Sequence, residues 1–145
     1  MEWFDKSFAA LTTDELFRIY QLRVQVFNGE QESSYPDPDE QDRTARHLFC
    51  CDGSRVVAYA RYFRAGKQVS FGRVVIQREY RGTGLSTSLM THLLAGIHQT
   101  FPGMKIIIHA QYYIQGYYAK YGFTPTGDPF TEAGRKHITM THPAL

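Results

Sequence analysis

The stretch richest in chemistry runs Val74-Val75-Ile76-Gln77-Arg78-Glu79-Tyr80-Arg81-Gly82-Thr83-Gly84-Leu85-Ser86-Thr87-Ser88-Leu89. An apolar, strand-like segment enters a glycine-rich turn, after which Leu85, Leu89, Leu93 and Ile97 recur at helical spacing. Glycine lets a backbone approach a ligand where a Cβ would block it. The first N–H groups of a helix lack internal partners, and the helix dipole favours an anion beside them. Each charge so placed gains roughly 0.3–1 kcal/mol when exposed. A pyrophosphate fits such a turn. The residues argue against two common diphosphate binders. Gly82-Thr83-Gly84 lacks the Gly-Lys-Ser/Thr ending of a nucleoside triphosphatase loop, and Thr87 stands where the dinucleotide-binding G-x-G-x-x-G pattern needs its third glycine. Taken alone, the same residues also make a plain tight connection.

A second segment adds weight. Ile106-Ile107-Ile108-His109-Ala110-Gln111 leads to Tyr117-Tyr118-Ala119-Lys120-Tyr121-Gly122-Phe123. Here the sequence resembles the GNAT superfamily of acetyltransferases. Their coenzyme A loop, Gln/Arg-x-x-Gly-x-Gly/Ala, is similar to Arg81-Gly82-Thr83-Gly84-Leu85-Ser86, with serine at the last position. Serine is small, so backbone approach is kept, and its hydroxyl offers a further phosphate contact. The family's Phe-Tyr-x-x-x-Gly-Phe segment is matched from Tyr117 to Phe123, with tyrosine for the leading phenylalanine. The likeness extends to the ElaA-like branch at Leu22-Arg23, Val26-Phe27, Glu30-Gln31, Tyr35, Gly72-Arg73-Val74, Ala110-Gln111 and His137-Ile138.

The resemblance implies an α/β (α+β) fold of GNAT type: a mixed, mostly antiparallel sheet flanked by helices and splayed between its fourth and fifth strands. Acetyl-CoA would lie in the gap as co-substrate, and a small amine or a peptide amine would accept the acetyl group. Backbone around Val74, Val75 and Ile76 would line the pantetheine arm, and one amide there would stabilise the oxyanion formed when the amine attacks the thioester. Arg81, Gly82, Thr83, Gly84, Leu85, Ser86 and Thr87 would hold the pyrophosphate, with Gln111 against the pantetheine. Tyr118 is the implied general acid towards the departing thiolate. An alkylamine of pKa near ~10 must lose a proton before attack. His109, Glu30 and His137 are the candidates to take it, directly or through water. A non-catalytic coenzyme A sensor is the alternative class; it keeps the phosphate turn without needing Tyr118.

The elements that position these residues are readable from pattern. Glu2-Trp3-Phe4 begins a strand. Thr12 and Glu15 form a capping box, and Leu16, Ile19, Tyr20, Val26 and Phe27 then keep helical spacing, predicting a helix over 13–27. From Asn28 to Arg46, two prolines and six acids predict a long loop or short helix. Its acids either set a field for a cationic substrate or are simply solvated. Strands are expected near 47–51, 55–63 and 68–76, the first two joined through Asp52-Gly53. A helix follows from Leu85 until Pro102-Gly103, then a buried strand at Ile106-Ile107-Ile108. A second helix is expected from Tyr112 to Lys120, and a last strand near His137–Met140.

Bulk properties bound the function. A chain of 145 residues with no repeat fits one domain, 1–145. Lys+Arg 16 against Asp+Glu 14, with no dense basic run, gives no support for nucleic-acid binding. Cys50 and Cys51 are adjacent and alone, so they supply neither a disulfide framework nor a zinc site; no metal is expected. No apolar run approaches ~18 residues and no leader stands out, which points to a cytoplasmic protein away from membranes. Oligomeric state stays open, a homodimer among the options.

Overall fold

Thr12 opens the first helix as its chemistry requires. Its hydroxyl accepts the Glu15 N–H at 3.0 Å, while the Glu15 carboxylate accepts the Thr12 N–H at 2.9 Å. Helix α1 (Thr13–Arg23) follows, and the coil then widens to π winding over Val24–Glu30, with the Gln31 N–H donating to the Val26 carbonyl at 2.9 Å. The predicted helix over 13–27 is thus α-helical only to Arg23, and the wider turns carry it on to Glu30. Wide turns of this kind are uncommon and recur at functional sites.

The computed structural model describes residues 1–145. Strands β1 (Glu2–Ser7), β2 (Arg46–Asp52), β3 (Arg55–Ala65) and β4 (Gln68–Ile76) form an antiparallel run, joined by turns in which Gly53 and Gly66 take positive φ. Between β1 and β2 the chain makes α1, the acidic loop and the short α2 (Gln41–Thr44). Helix α3 (Leu85–Thr100) crosses to β5 (Ile106–Gln111), and α4 (Gln115–Ala119) precedes β6 (Thr124–Glu132) and β7 (Arg135–His142). The sheet order is β1-β2-β3-β4-β5-β7-β6. Only β4 and β5 run parallel, and they pair at a single position, Val69 with Ile106. Beyond it the two strands diverge, so the sheet splays between its fourth and fifth strands.

Side chains alternate across β3, as a pleat demands. Ala58, Ala60 and Tyr62 join Leu89, Leu93 and Ile97 of α3 in the larger core, while Tyr59 joins Ile19 and Leu22 of α1 on the opposite face. The sheet is thereby sandwiched between α1 on one side and α3 with α4 on the other. No helix is long and apolar enough to cross a membrane. Two differences from the sequence expectation concern the C-terminal part. Residues 112–120 form a tight 3₁₀ turn (Tyr112–Ile114) and then the short α4, rather than one continuous helix. Thr124–Glu132 is a strand where none was expected.

Candidate active site

Where β4 and β5 part, a cleft of about 800 Å³ opens between them. Its walls include Phe71 to Val74 of β4 and Ile107 to Gln111 of β5, with Tyr118 among the residues around it. A smaller cavity of about 360 Å³ lies beside the glycine turn, lined by Glu30, Val74, Val75, Ile76, Arg81, Gly82 and Ser86. Val74 and Gln31 border both. The two cavities therefore abut at the middle of β4.

The smaller cavity is built by the turn. Gly82 and Gly84 have φ of 79° and 86°, values that L side chains rarely adopt, so glycine is needed at both. Gly84 caps α3 without any side-chain hydrogen bond, leaving the leading amides of that helix free of a capping acceptor. Arg81 donates from Nε to the Ile76 carbonyl at 3.1 Å, and its Nη2 meets the Glu30 carboxylate at 2.7 Å. Glu30 thus belongs with the turn rather than with the larger cleft: the structure does not bring it together with Tyr118 and His109. The Ser86 hydroxyl bonds to the Tyr117 hydroxyl. That serine is committed to joining α3 to α4, instead of standing free for a phosphate as its position suggested.

The larger cleft takes chemical groups from β5, α4 and the β6–β7 hairpin, and from the acidic loop, β3 and β4 through Asp37, Asp39, Arg61 and Arg73. Tyr118 is 6% exposed and packs against Phe71, Tyr117 and Phe123. Burial pushes its pKa well above the usual 10, with the neighbouring Tyr117 adding to the effect. His109 Nδ1 lies 2.8 Å from Glu132 Oε1. A carboxylate only accepts, so Nδ1 carries the hydrogen, and Nε2 is the nitrogen left to hold a lone pair whenever the ring is neutral. The other Glu132 oxygen is 3.9 Å from His137 Nε2, while His137 Nδ1–H donates to the Arg135 carbonyl at 2.8 Å. Glu132 is the residue that the sequence analysis missed. It sits on the unexpected strand β6, and nothing local to it signals a partner 23 residues away.

The acidic loop turns out to be fastened internally. Arg23, fully buried, meets Asp37 through Nε at 2.7 Å and Asp42 through Nη1 at 2.8 Å. Arg61 pairs with Asp39 at 2.5 Å and Asp42 at 2.8 Å, and Arg73 Nε lies 2.9 Å from Asp37. Burial works to raise the Asp42 pKa, but hydrogen bonds and charge from Arg23 and Arg61 outweigh it and hold the carboxyl at about 2. His47 completes the cluster. Its Nε2–H donates to the Asp42 carbonyl at 2.8 Å and its Nδ1 accepts from the Tyr59 hydroxyl at 2.7 Å, a neutral ring whose pKa desolvation lowers. Asp37 and Asp42 are thus buried among three arginines rather than solvated, while Asp39 pairs with Arg61 and Arg73 at the exposed margin of the cluster.

One backbone feature stands at the junction of the cavities. The β3–β4 register steps from Arg61 opposite Gly72 to Tyr59 opposite Val75, so β4 carries one extra residue there, a β-bulge. Arg73, within it, has φ of 51°. A non-glycine residue in that region costs roughly 1–2 kcal/mol, which its surroundings must offset.

This geometry has close counterparts. The sequence profile of the Acetyltransferase (GNAT) domain matches residues 20–143. Escherichia coli ElaA is 31% identical over 150 residues, spanning 100% of this chain and 98% of ElaA. A UPF0039 protein of Schizosaccharomyces pombe is 36% identical over 143 residues, spanning 97% of this chain and 95% of that protein. Among solved structures, an acyl-CoA N-acyltransferase from Pseudomonas aeruginosa superposes with a TM-score of 0.92 at 32% identity, covering 98% of this chain and 99% of that one. The crystal structure of E. coli ElaA gives the same TM-score, 0.92, at 31% identity and the same coverage, 98% and 99%. With the glycine turn, the splayed sheet and these matches in place, the chain belongs to the GNAT acetyltransferase family, in its ElaA-like branch.

Proposed function

We propose that this chain is an N-acetyltransferase that moves the acetyl group of acetyl-CoA onto an amine by direct attack on the thioester. The observation that supports this best is the meeting at Val74 of two cavities with different chemistry. One is an anion-suited helix start at Gly82–Gly84; the other holds a buried tyrosine and a carboxylate-held histidine. In this reading the amides from Gly82 to Thr87 grip the pyrophosphate. Glu30 orients Arg81 beside them. The pantetheine arm runs along Val74–Ile76, with Gln111 on the opposite wall, and brings the thioester to the bulge.

The neutral amine attacks the thioester carbon. A carbon–nitrogen bond forms, and the carbonyl oxygen gains charge that a β4 amide stabilises. His109 Nε2 takes the proton lost by the amine, and Glu132 holds the ring in the tautomer that permits it. The carbon–sulfur bond then breaks, and the Tyr118 hydroxyl donates to the departing sulfur. We take residues 1–145 as one catalytic domain acting in the cytoplasm on a small amine or a peptide amine.

A panel of amines incubated with acetyl-CoA tests this, with free thiol and acetylated product measured together. Amine-dependent thiol release is expected. Calorimetric binding of acetyl-CoA without turnover on any amine would instead identify a coenzyme A-binding module without catalysis.

A further inference from the structure

We infer that the Asp37–Arg73 pair is a positioning device: it holds the β4 bulge in the shape that aims a backbone amide at the reacting carbonyl. This rests on the proposed acyl transfer at Val74. Arg73 precedes Val74, the residue that borders both cavities, and it sits in the bulge with φ of 51°. Its side chain makes polar contacts only with the acidic loop. Nε lies 2.9 Å from Asp37 Oδ1, an ion pair that is not aligned as a hydrogen bond, while Nη2 donates to the Asp37 carbonyl at 2.8 Å and to Asp39 Oδ2 at 3.3 Å.

Asp37 is a fixed anchor rather than a flexible one. It is 5% exposed, and Arg23, itself fully buried, holds both its carboxylate at 2.7 Å and its carbonyl at 3.1 Å. The loop leading to it is braced as well, because the Asn28 amide donates to the Ser33 carbonyl at 2.8 Å and the Tyr35 carbonyl at 2.9 Å. A displaced Arg73 therefore cannot take its partner along. The pair forms only while the bulge keeps this shape, so its free energy acts on the backbone at residues 72–74. Asp39, with its side chain 43% exposed, adds a weaker hold. A merely permissive bulge would need only glycine at position 73. An arginine there ties a strained residue to an element 36 positions away in the chain.

The test compares Arg73→Ala, Arg73→Gly, Arg73→Lys and Asp37→Asn in the full-length protein, using acetyl-CoA and the best amine of the panel. Arg73→Ala loses the clamp and keeps the strain; kcat should fall about 10–100-fold with both KM values within about threefold, since a misplaced group of about 1 Å costs on this order. Arg73→Gly accepts positive φ freely, so its loss should be smaller, and Arg73→Lys should recover part of kcat. Hydrogen exchange on the protein without acetyl-CoA gives a second readout. Amides of residues 72–76 should exchange faster in Arg73→Ala and Asp37→Asn, with β2 and β5 still protected. Unchanged kcat in Arg73→Ala overturns the inference, as does a raised amine KM at unchanged kcat, which would make Arg73 an acceptor contact. Loss of protection throughout the sheet also overturns it, in favour of a general structural role. Should the wild-type protein release no thiol with any amine, the acyl-transfer reading fails. Exchange at 72–76 then decides the clamp alone.

Discussion

Tyr118→Phe removes one hydroxyl and leaves a ring that already has its neighbours. The centroid of Tyr118 lies 5.3 Å from Tyr117, 5.8 Å from Phe71 and 6.1 Å from Phe123, and phenylalanine keeps all of these contacts. The change therefore reports on the O–H and not on packing. Burial raises the Tyr118 pKa above its usual 10, whereas a thiol titrates near ~8.5. Complete proton transfer from Tyr118 to the thiolate thus runs uphill by more than about 1.5 pKa units, or about 2 kcal/mol. In the proposed reaction the hydroxyl would serve the departing sulfur as a hydrogen-bond donor, and a bond to a charged partner is worth about 1.5–3 kcal/mol. At ~1.4 kcal/mol per tenfold, kcat should drop about 10–150-fold. KM for acetyl-CoA should stay nearly constant, because the bond strengthens only as charge develops on sulfur. Because its pKa is raised, Tyr118 stays protonated, and kcat should show no falling limb attributable to it below about pH 10. The assay is steady-state thiol release, with single-turnover kinetics to establish that chemistry limits the rate. A Tyr118→Phe single-turnover rate within twofold of wild type would refute the donor role.

The other predictions concern base, core and charge. Glu132→Gln should cut kcat about 10–100-fold, since an amide can turn its NH₂ towards His109 Nδ1 and favour the tautomer whose Nε2 is protonated; unchanged single-turnover rates would contradict this. Arg23→Ala takes one of two arginines from each of the buried carboxylates Asp37 and Asp42, leaving Arg73 and Arg61, and should destabilise the fold by about 3 kcal/mol in urea titration. A loss under 1 kcal/mol would mean that the cluster is more solvated than its burial indicates. Acid should act in two stages. The His47 pKa is lowered in the fold, so the stability tied to its neutral ring is complete above about pH 6.5 and declines below it. Asp42 is held at about 2, so its contribution is complete above about pH 3.9 and is lost as pH falls through 2. A urea midpoint that stays flat from pH 7 to pH 2 would contradict both. Gly96→Ala on α3 would place a Cβ 2.8 Å from Asp5 Oδ2 and 2.9 Å from the Tyr62 hydroxyl oxygen. Overpacking of about 1–3 kcal/mol against a helix-propensity gain of about 1 kcal/mol predicts net destabilisation, read as a lower urea midpoint.

Much of the scaffold was legible because its signals are local. The Thr12–Glu15 capping box, the leucine spacing of α3 and the positive-φ glycines at 82 and 84 each involve residues within a few positions of one another, and the conformation they favour hardly depends on the rest of the chain. The GNAT resemblance was carried by the same contiguous segments. Strand β6 was hidden for a physical reason. Pro125, Gly127 and Pro129 weigh against a strand by propensity, yet β6 lies at the sheet edge and pairs only with β7, where a missing donor is tolerated. Residues 112–120 have the composition of a helix, but the chain leaves β5 through a 3₁₀ turn that shortens it. Composition gave the charges of the acidic loop and said nothing of their partners. Asp37 and Asp42 are buried against Arg23, Arg61 and Arg73 because the sheet and α1 deliver those arginines from 14 to 36 positions away. Glu132 meets His109 in the same way, across 23 positions. Sequence alone determined where helices start and where the backbone turns, since those are properties of neighbouring residues. Which charge meets which, and so which histidine a carboxylate holds, depended on distances that only the assembled sheet sets.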